Sequence, residues 1–185
     1  SRTIRDPFRK LFDAQQKGET WKRAMAETDY EIIVASASHA DAILELMPRL
    51  ADFDVPASRN PRHLWEHDAE MLREWACGES ACLVHVAVDG AGDVLGFSMV
   101  TLRPELLSHG PSAHLEAIAL APSAEGRGIA KALLATAEKA AQAKGALTMT
   151  LHVFSVNQRA RGLYERAGYD GELMRYIKAL GRGGT

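Results

Sequence analysis

An apolar segment, a glycine turn and a helical pattern follow one another in residues 115–134, LEAIALAPSAEGRGIAKALL. The apolar segment ends at Pro122, and two glycines, Gly126 and Gly128, precede the helical pattern. A helix leaves its first backbone N–H groups unpaired, and a turn without bulky side chains lets an anion approach them. The stretch therefore predicts a strand, a turn and a helix in succession, with a candidate anion site in the turn.

Two nucleotide-binding motifs can be excluded for this turn. A dinucleotide fingerprint needs a small residue where Lys131 stands, and a nucleotide P-loop needs Gly-Lys followed by Ser or Thr. A tight turn that only requires positive φ angles would use the same two glycines. The turn alone leaves an anion site and a purely structural turn both open.

Strand and helix patterns occupy the chain from Tyr30 onward. They predict, in order, a strand at 30–37, helices at 38–50 and 61–78, strands at 81–88 and 94–102 joined by the hairpin DGAGD, a strand at 113–120, a helix at 129–145, a strand at 147–154, a helix at 157–168 and a closing strand region at 169–180. Ser38 is the expected N-cap of the first helix. The order predicts an α+β (mixed α/β) domain over residues 29–185, to which the charged residues 1–28 add an N-terminal helical extension.

Composition restricts the partners of the chain. Its 185 residues, 46% of them hydrophobic, suffice for one core. With 22 Lys and Arg against 24 Asp and Glu, no basic field favours nucleic acid or an anionic membrane. No apolar run is long enough to span a bilayer, and Cys77 and Cys82 have neither a disulfide nor a metal-site pattern. We therefore expect a cytoplasmic protein with no nucleic-acid partner, no membrane contact and no metal.

A second motif lies on the last predicted helix and consists of Asn157, Ala160, Leu163, Tyr164, Gly168 and Tyr169. At 3.6 residues per turn, Asn157, Ala160 and Tyr164 share one helix face. By itself the pattern is also explained by Asn157 as an N-cap and by Leu163 and Tyr164 as packing residues. Beside the glycine turn, however, it resembles the later helix of the GNAT superfamily of N-acetyltransferases. The signature turn of that family, Gln/Arg-x-x-Gly-x-Gly/Ala, maps onto residues 125–130, with Glu125 in first place.

The resemblance implies a fold and a cosubstrate. The fold is a central mixed, mostly antiparallel sheet flanked by helices, with a V-shaped splay between two parallel strands, here HLEAIAL and MTLHVF. Acetyl-coenzyme A would lie in the splay, with the pantetheine arm on the main chain of Ile118 and Leu120 and the pyrophosphate on the amides of residues 126–131. The cofactor-binding residues implied in this way are Ile118, Ala119, Leu120, Glu125, Gly126, Arg127, Gly128, Ile129, Ala130, Lys131, Asn157, Ala160 and Tyr164.

Glu125 departs from the family signature. A carboxylate beside a pyrophosphate would repel it unless Glu125 turned outward and paired with a cation such as Arg127 or Lys131. A non-catalytic module of the same fold, which only binds acyl-coenzyme A or serves as an interaction domain, is the alternative that this residue favours.

The implied reaction is direct attack of a primary amine on the acetyl thioester, with an amide near Ile118 stabilising the oxyanion. Strand alternation places His114 and Glu116 on one face with Ile118 and Leu120. We expect Glu116 to draw the proton of the amine through water, with His114 as a relay, and Tyr164 to protonate the departing thiolate. A structural role for His114 and Glu116 is the alternative.

The acceptor and one rival motif remain open. By the resemblance, residues 51–65 and 103–112 border the acceptor pocket, and a homodimer is compatible with the family. HLWEH, residues 63–67, matches a zinc-peptidase pattern, but it stands alone without an evident third ligand. The sequence does not distinguish a protein N-terminus from an aminoglycoside, a polyamine or an amino acid as the acceptor.

Overall fold

The computed structural model describes residues 29–178. The strands are β1 (Tyr30–Val34), β2 (Leu83–Asp89), β3 (Val94–Pro104), β4 (Pro111–Leu120) and β5 (Thr148–Leu151). The α-helices are α1 (Ala40–Leu46), α2 (Glu66–Ala76), α3 (Ile129–Ala143) and α4 (Gln158–Arg166). Short 3-10 helices lie at Ala37–His39, Met47–Ala51, Pro61–Leu64 and Pro122–Ala124. The helical extension predicted for residues 1–28 lies outside the described residues.

The five strands form one sheet in the order β1-β2-β3-β4-β5. The neighbouring strands from β1 to β4 are antiparallel, whereas β4 and β5 are parallel. The parallel pair arises because α3 carries the chain from the end of β4 back to the start of β5, as a parallel connection requires. The predicted mixed, mostly antiparallel sheet with flanking helices is confirmed.

The predicted splay lies between β4 and β5. Their pairing begins with Ser112 opposite Thr148 and ends with Leu115 opposite Leu151. Beyond this point β5 ends, whereas β4 continues to Leu120. The two parallel strands therefore part after Leu115, which opens the second half of β4 on this edge.

Helices cover both faces of the sheet. The α1 and α2 side buries a cluster that includes Ile43, Met47, Ala69, Leu72, Val86, Phe97, Met99, Ala117 and Ala119. The α3 and α4 side buries two clusters that include Val100, Ala113, Leu115, Ile129, Leu133, Leu134, Ala137 and Tyr164. The apolar positions of α3 recur at helical spacing, so one stripe of that helix faces the sheet.

A β-bulge interrupts β4 at Glu116. Ala117 lies opposite Met99, and the next pair joins Leu115 to Val100, so Glu116 is an extra residue of β4. An extra residue shifts the alternation of side chains by one position, because that alternation has a period of two. Side chains before and after the bulge therefore follow different registers.

The predicted common face of His114, Glu116, Ile118 and Leu120 is wrong for this reason. Ile118 and Leu120 pack with the residues beneath α3. Glu116 instead accepts a hydrogen bond from Thr101, and His114 lies opposite Thr101 in the sheet. His114 and Glu116 thus share the α1 and α2 side, while the two apolar residues lie on the other.

Three local predictions also differ from the structure. Ser36, not Ser38, caps the first helical turn, where its main-chain N–H donates to His39 Nδ1 at 3.0 Å. The predicted helix at 61–78 breaks at Trp65 into a 3-10 turn followed by α2. A closing strand was expected at 169–180, but residues 169–178 have no regular secondary structure. This segment therefore has no strand partner within the described residues.

Candidate functional site

The open edge of β4 presents main-chain groups toward the splay. Ala121 donates its N–H to the Leu95 carbonyl at 2.9 Å. Main-chain groups of successive residues in an antiparallel strand alternate between its two edges, so Ile118 and Leu120 direct theirs away from β3. The Leu120 carbonyl accordingly accepts a 3.2 Å hydrogen bond from Arg49 Nε. The strand can therefore pair with an extended ligand where β5 has ended.

The glycine turn has the backbone that the anion site requires. Gly126 and Gly128 have φ angles of 73° and 78°, in the left-handed region that favours glycine. The first helical hydrogen bond of α3 runs from Ala132 N–H to the Gly128 carbonyl at 3.1 Å. The amides of residues 129–131 precede that bond and lie at the positive end of the helix dipole. The turn thus offers several N–H donors to an anion.

Glu125 turns away from these amides, but not toward the predicted cations. Its Oε1 accepts hydrogen bonds from Arg49 Nη2 at 2.5 Å and from Arg159 Nη1 at 2.8 Å. Arg127, one of the two predicted partners, instead pairs with Asp29 at 2.6 Å. The hydrogen bond from Arg159, with the charges of both guanidinium groups, holds the pKa of Glu125 below its usual value.

Glu116 is held at the bulge by two β3 side chains. Thr101 Oγ1 donates a hydrogen bond of 2.5 Å to Glu116 Oε1, and Arg103 Nη1 lies 3.5 Å from the same oxygen. The Glu116 side chain is 12% exposed, whereas that of Arg103 is 46% exposed. This arrangement holds a mostly buried carboxylate, with a small exposed fraction, at the position where β4 and β5 part.

His114 lies next to the bulge in a mostly buried position. Its Nδ1 is joined to Thr150 Oγ1 by a hydrogen bond of 2.7 Å, and its ring lies 4.7 Å from that of His152. Burial lowers the pKa of His114 to about 4, against a smaller opposing effect of the Glu116 charge. His114 is therefore neutral at pH 7 and can both donate and accept a proton.

A second carboxyl group approaches Glu116 from α2. Burial, and then the charge of Glu116, raise the pKa of Asp68 to about 6. Two neighbouring carboxyl groups with different environments form a candidate proton-handling pair. Asp68 was missed by the sequence analysis because no motif marks it.

The predicted residues of α4 have well-defined places. Asn157 caps the helix, since its side chain accepts a 3.1 Å hydrogen bond from the Ala160 amide. Tyr164 is 9% exposed and belongs to the same core cluster as Leu115, the last β4 residue paired with β5. Burial raises the pKa of Tyr164 to about 12, which keeps the phenol protonated at neutral pH.

The fold buries the side chains of Ala119 and Ile129, two of the other residues predicted to bind the cofactor. Ala119 is buried on the α1 and α2 side, and the alternation along β4 directs its main-chain groups to β3. Ile129, the first residue of α3, is 1% exposed, which leaves its amide as the group that can contact a ligand. Ala130 is half-buried and Lys131 is exposed on the first turn of the same helix.

HLWEH does not assemble a metal centre in the described structure. His63 lies in the 3-10 turn and His67 in α2, so the two imidazoles are not on one continuous helix. Glu66 pairs with Arg62 at 3.0 Å. Over residues 29–178, no group of three or more His, Cys, Asp or Glu side chains could hold a metal ion.

In the same range, no helix has both the length and the apolar character needed to cross a membrane.

The sequence of the chain matches known acetyltransferases. The profile of the acetyltransferase (GNAT) family matches residues 47–169. A mycothiol acetyltransferase of Arthrobacter sp. (strain FB24) is 27% identical over 161 residues, which cover 82% of this chain and 49% of the relative. This chain therefore spans about half the length of that curated relative.

Solved structures share the fold. An acetyl transferase from Pyrococcus furiosus has a TM-score of 0.67 at 23% identity, over 82% of this chain and 99% of that one. AAC(6')-Iy, in complex with the bisubstrate analog CoA-S-monomethyl-acetylneamine, has a TM-score of 0.60 at 21% identity over 82% and 99% of the two chains. The family profile spans the splay, the glycine turn and α4, and this chain belongs to the acetyltransferase (GNAT) family.

Proposed function

We propose that this protein is an N-acetyltransferase that moves the acetyl group of acetyl-coenzyme A to a primary amine by direct attack. The observation that carries the proposal is the position of Glu116. Its carboxylate lies at the bulge of β4, at the point where β4 and β5 part, and 12% of the side chain is exposed. An ammonium acceptor must lose a proton before its nitrogen can attack, and a carboxylate at this point can draw that proton, directly or through water.

The cosubstrate fits the residues that are present. The main-chain groups of Ile118 and Leu120 lie at an open strand edge suited to an extended amide chain. Gly126 and Gly128 open a turn whose amides suit a pyrophosphate. AAC(6')-Iy, which shares the fold, was solved with a coenzyme A analog and, in another crystal, with coenzyme A. When bound, acetyl-coenzyme A supplies the activated acetyl thioester.

The side chains of this site divide the proton handling. Glu116 takes a proton from the acceptor amine, and Thr101 and Arg103 keep that carboxylate in place. Neutral His114 relays the proton, since its hydrogen bond to Thr150 orients the ring. Tyr164 holds the phenol proton that is needed on the leaving sulfur.

The acceptor enters beside Arg103 in this proposal. A depression of about 350 Å³ is lined by residues that include Arg103, His109, Ser112 and Lys144. It adjoins the β3–β4 loop, which the sequence analysis placed at the acceptor pocket. Arg103 connects the depression with Glu116, so a bound acceptor would reach the carboxylate from this side.

An acetyl-transfer screen tests the proposal. The protein is incubated with acetyl-coenzyme A and one representative each of the aminoglycosides, polyamines, amino acids and N-terminal peptides, and free thiol release is recorded. We expect release that depends on one amine class, with coenzyme A binding confirmed separately by calorimetry. Binding without amine-dependent release in any class would favour the non-catalytic module, and absence of binding would contradict both functions.

A further inference from the structure

The Glu125 side chain connects two elements on opposite sides of the splay. We call the ion-paired group of Arg49, Glu125 and Arg159 the Glu125 bridge. Arg49 belongs to the 3-10 helix after α1, and Arg159 to the first turn of α4. Glu125 immediately follows the 3-10 turn after β4. The bridge therefore spans from the segment after β4 to the helix after β5, beside the turn that offers amides to an anion.

The two arginines are held differently. Arg49 also pairs with Asp52 and donates to the Leu120 carbonyl, and its side chain is 25% exposed. Arg159 is 63% exposed, and within residues 29–178 Glu125 is the only acidic residue with which it forms an ion pair. If the carboxylate of Glu125 were replaced by another anion, Arg49 would keep two contacts and Arg159 would be free to follow the new partner.

A second contact joins the same two regions. The rings of Phe53 and Phe154 lie 5.4 Å apart, one in the loop after α1 and the other in the segment after β5. Arg159 is thus carried on a segment that is already anchored near Arg49. The segment that carries Arg159 is therefore held near Arg49 by a contact that does not involve Glu125, whereas the exposed Arg159 side chain itself is held by Glu125.

Two cationic side chains follow Glu125 in the glycine turn and the first turn of α3: Arg127, which is already paired, and the exposed Lys131. Arg127 is paired with Asp29 at 2.6 Å, and position 125 carries a carboxylate. A diphosphate on the turn would be held by amides and by Lys131, next to a negative side chain that repels it. The two arginines on Glu125 are guanidinium donors beside the turn that could offset this repulsion, and guanidinium groups bind phosphates in a bidentate manner.

We propose that Glu125 is an internal substitute for a ligand phosphate: it holds Arg159 at the site when no ligand is bound and yields it to a phosphate of coenzyme A on binding. The inference rests on the proposed function and assigns Arg159, supported by Arg49, as a phosphate-binding residue. No covalent bond changes in this exchange. Glu125 competes with the ligand for the same guanidinium group, so its charge limits the affinity.

Two substitutions give opposite results if this holds. Calorimetry measures coenzyme A, dephospho-coenzyme A and pantetheine on the wild type and each variant. Glu125→Gln should bind coenzyme A about fivefold more tightly, since the competing charge is removed. Arg159→Gln should bind it about tenfold more weakly. Neither substitution should change pantetheine binding, because pantetheine has no phosphate. The measurement with dephospho-coenzyme A, which keeps only the diphosphate, shows whether Arg159 contacts the diphosphate or the phosphate on the ribose.

Arg161→Gln is the matched control. Arg161 lies on the same helix and pairs with Glu165 at 3.3 Å, so its loss removes one surface ion pair of the same kind. We expect unchanged coenzyme A binding in this control.

Thermal unfolding without ligand identifies any variant that fails to fold. If Glu125→Gln fails to fold, Glu125→Ala replaces it. Weaker or unchanged binding in the Glu125 variants would make the bridge a structural tie and overturn the inference. If the wild type does not bind coenzyme A, the proposed function fails first.

Discussion

Thr101 Oγ1 donates a 2.5 Å hydrogen bond to Oε1 of Glu116, the extra residue in the bulge of β4. Thr101 belongs to β3, which has no extra residue at this point. A side chain of the regular strand β3 therefore holds the side chain of the extra residue in β4. The contact therefore fixes the position of the Glu116 carboxylate at the bulge, on the side of the sheet that carries His114.

Replacement of Glu116 should affect the rate in a pH-dependent way. Glu116→Gln is expected to lower kcat about 100-fold at pH 7 and to recover partly at higher pH, where more of the amine is already deprotonated. Steady-state kinetics from pH 7 to 10 measure this. Thr101→Val, which keeps the carboxylate, should lose much less. An equal loss at every pH would assign Glu116 to binding or structure instead.

A charge placed in the glycine turn should block the cosubstrate. Gly128 has a φ of 78°, and a Cβ there would meet no atom within 4 Å, so any L-residue pays about 1 kcal/mol of backbone strain without a clash. Gly128→Ala carries that strain alone, whereas Gly128→Glu adds a negative charge beside the amides. Calorimetry with coenzyme A should show binding at least about tenfold weaker for Gly128→Glu than for Gly128→Ala. Equal affinities would place the phosphates elsewhere.

Loss of the Tyr164 hydroxyl should slow turnover more than it weakens binding. Burial raises the pKa of this phenol to about 12, so the proton is present throughout the working pH range. Tyr164→Phe should lower kcat about 100-fold and leave the affinity for coenzyme A nearly unchanged. Tyr169→Phe is the control, since the Tyr169 ring packs edge-on against Tyr164 at 5.9 Å. Wild-type kcat in Tyr164→Phe would reduce the residue to packing.

Stability should depend on pH through His114. Burial lowers its pKa from 6.5 to about 4, so between these values the unfolded chain binds a proton that the folded chain does not. The free energy of unfolding should therefore fall as the pH is lowered from about 6.5 to about 4. His114→Gln should flatten this dependence in urea unfolding between pH 4.5 and 7. Asp68, whose pKa is raised to about 6, acts with the opposite sign, so Asp68→Asn should steepen it. A slope unchanged by His114→Gln would show that His114 is not responsible.

Local patterns were sufficient for most of the element order, whereas the parallel pair was implied by the resemblance to the GNAT family. Alternating apolar residues mark β2 and β3, helical spacing marks α3, and the glycines at 126 and 128 mark the turn between β4 and α3. These signals depend on neighbours within a few residues. The closing strand at 169–180 was predicted from the same kind of signal and is absent from residues 169–178, because a strand also needs a partner, which a local pattern cannot supply.

The sequence by itself supplied the candidate site residues: the glycines of the turn, the carboxylate of Glu116 and the phenol of Tyr164. Tertiary structure decided how they are arranged. The bulge at Glu116 is defined by the register between β3 and β4, so a period of two along β4 could not show that Glu116 and Ile118 lie on opposite faces. Arg49 and Arg159 both contact Glu125, although they are separated from it along the chain by 76 and 34 positions. Pairing at such distances depends on how the elements pack, and no spacing within the chain encodes it.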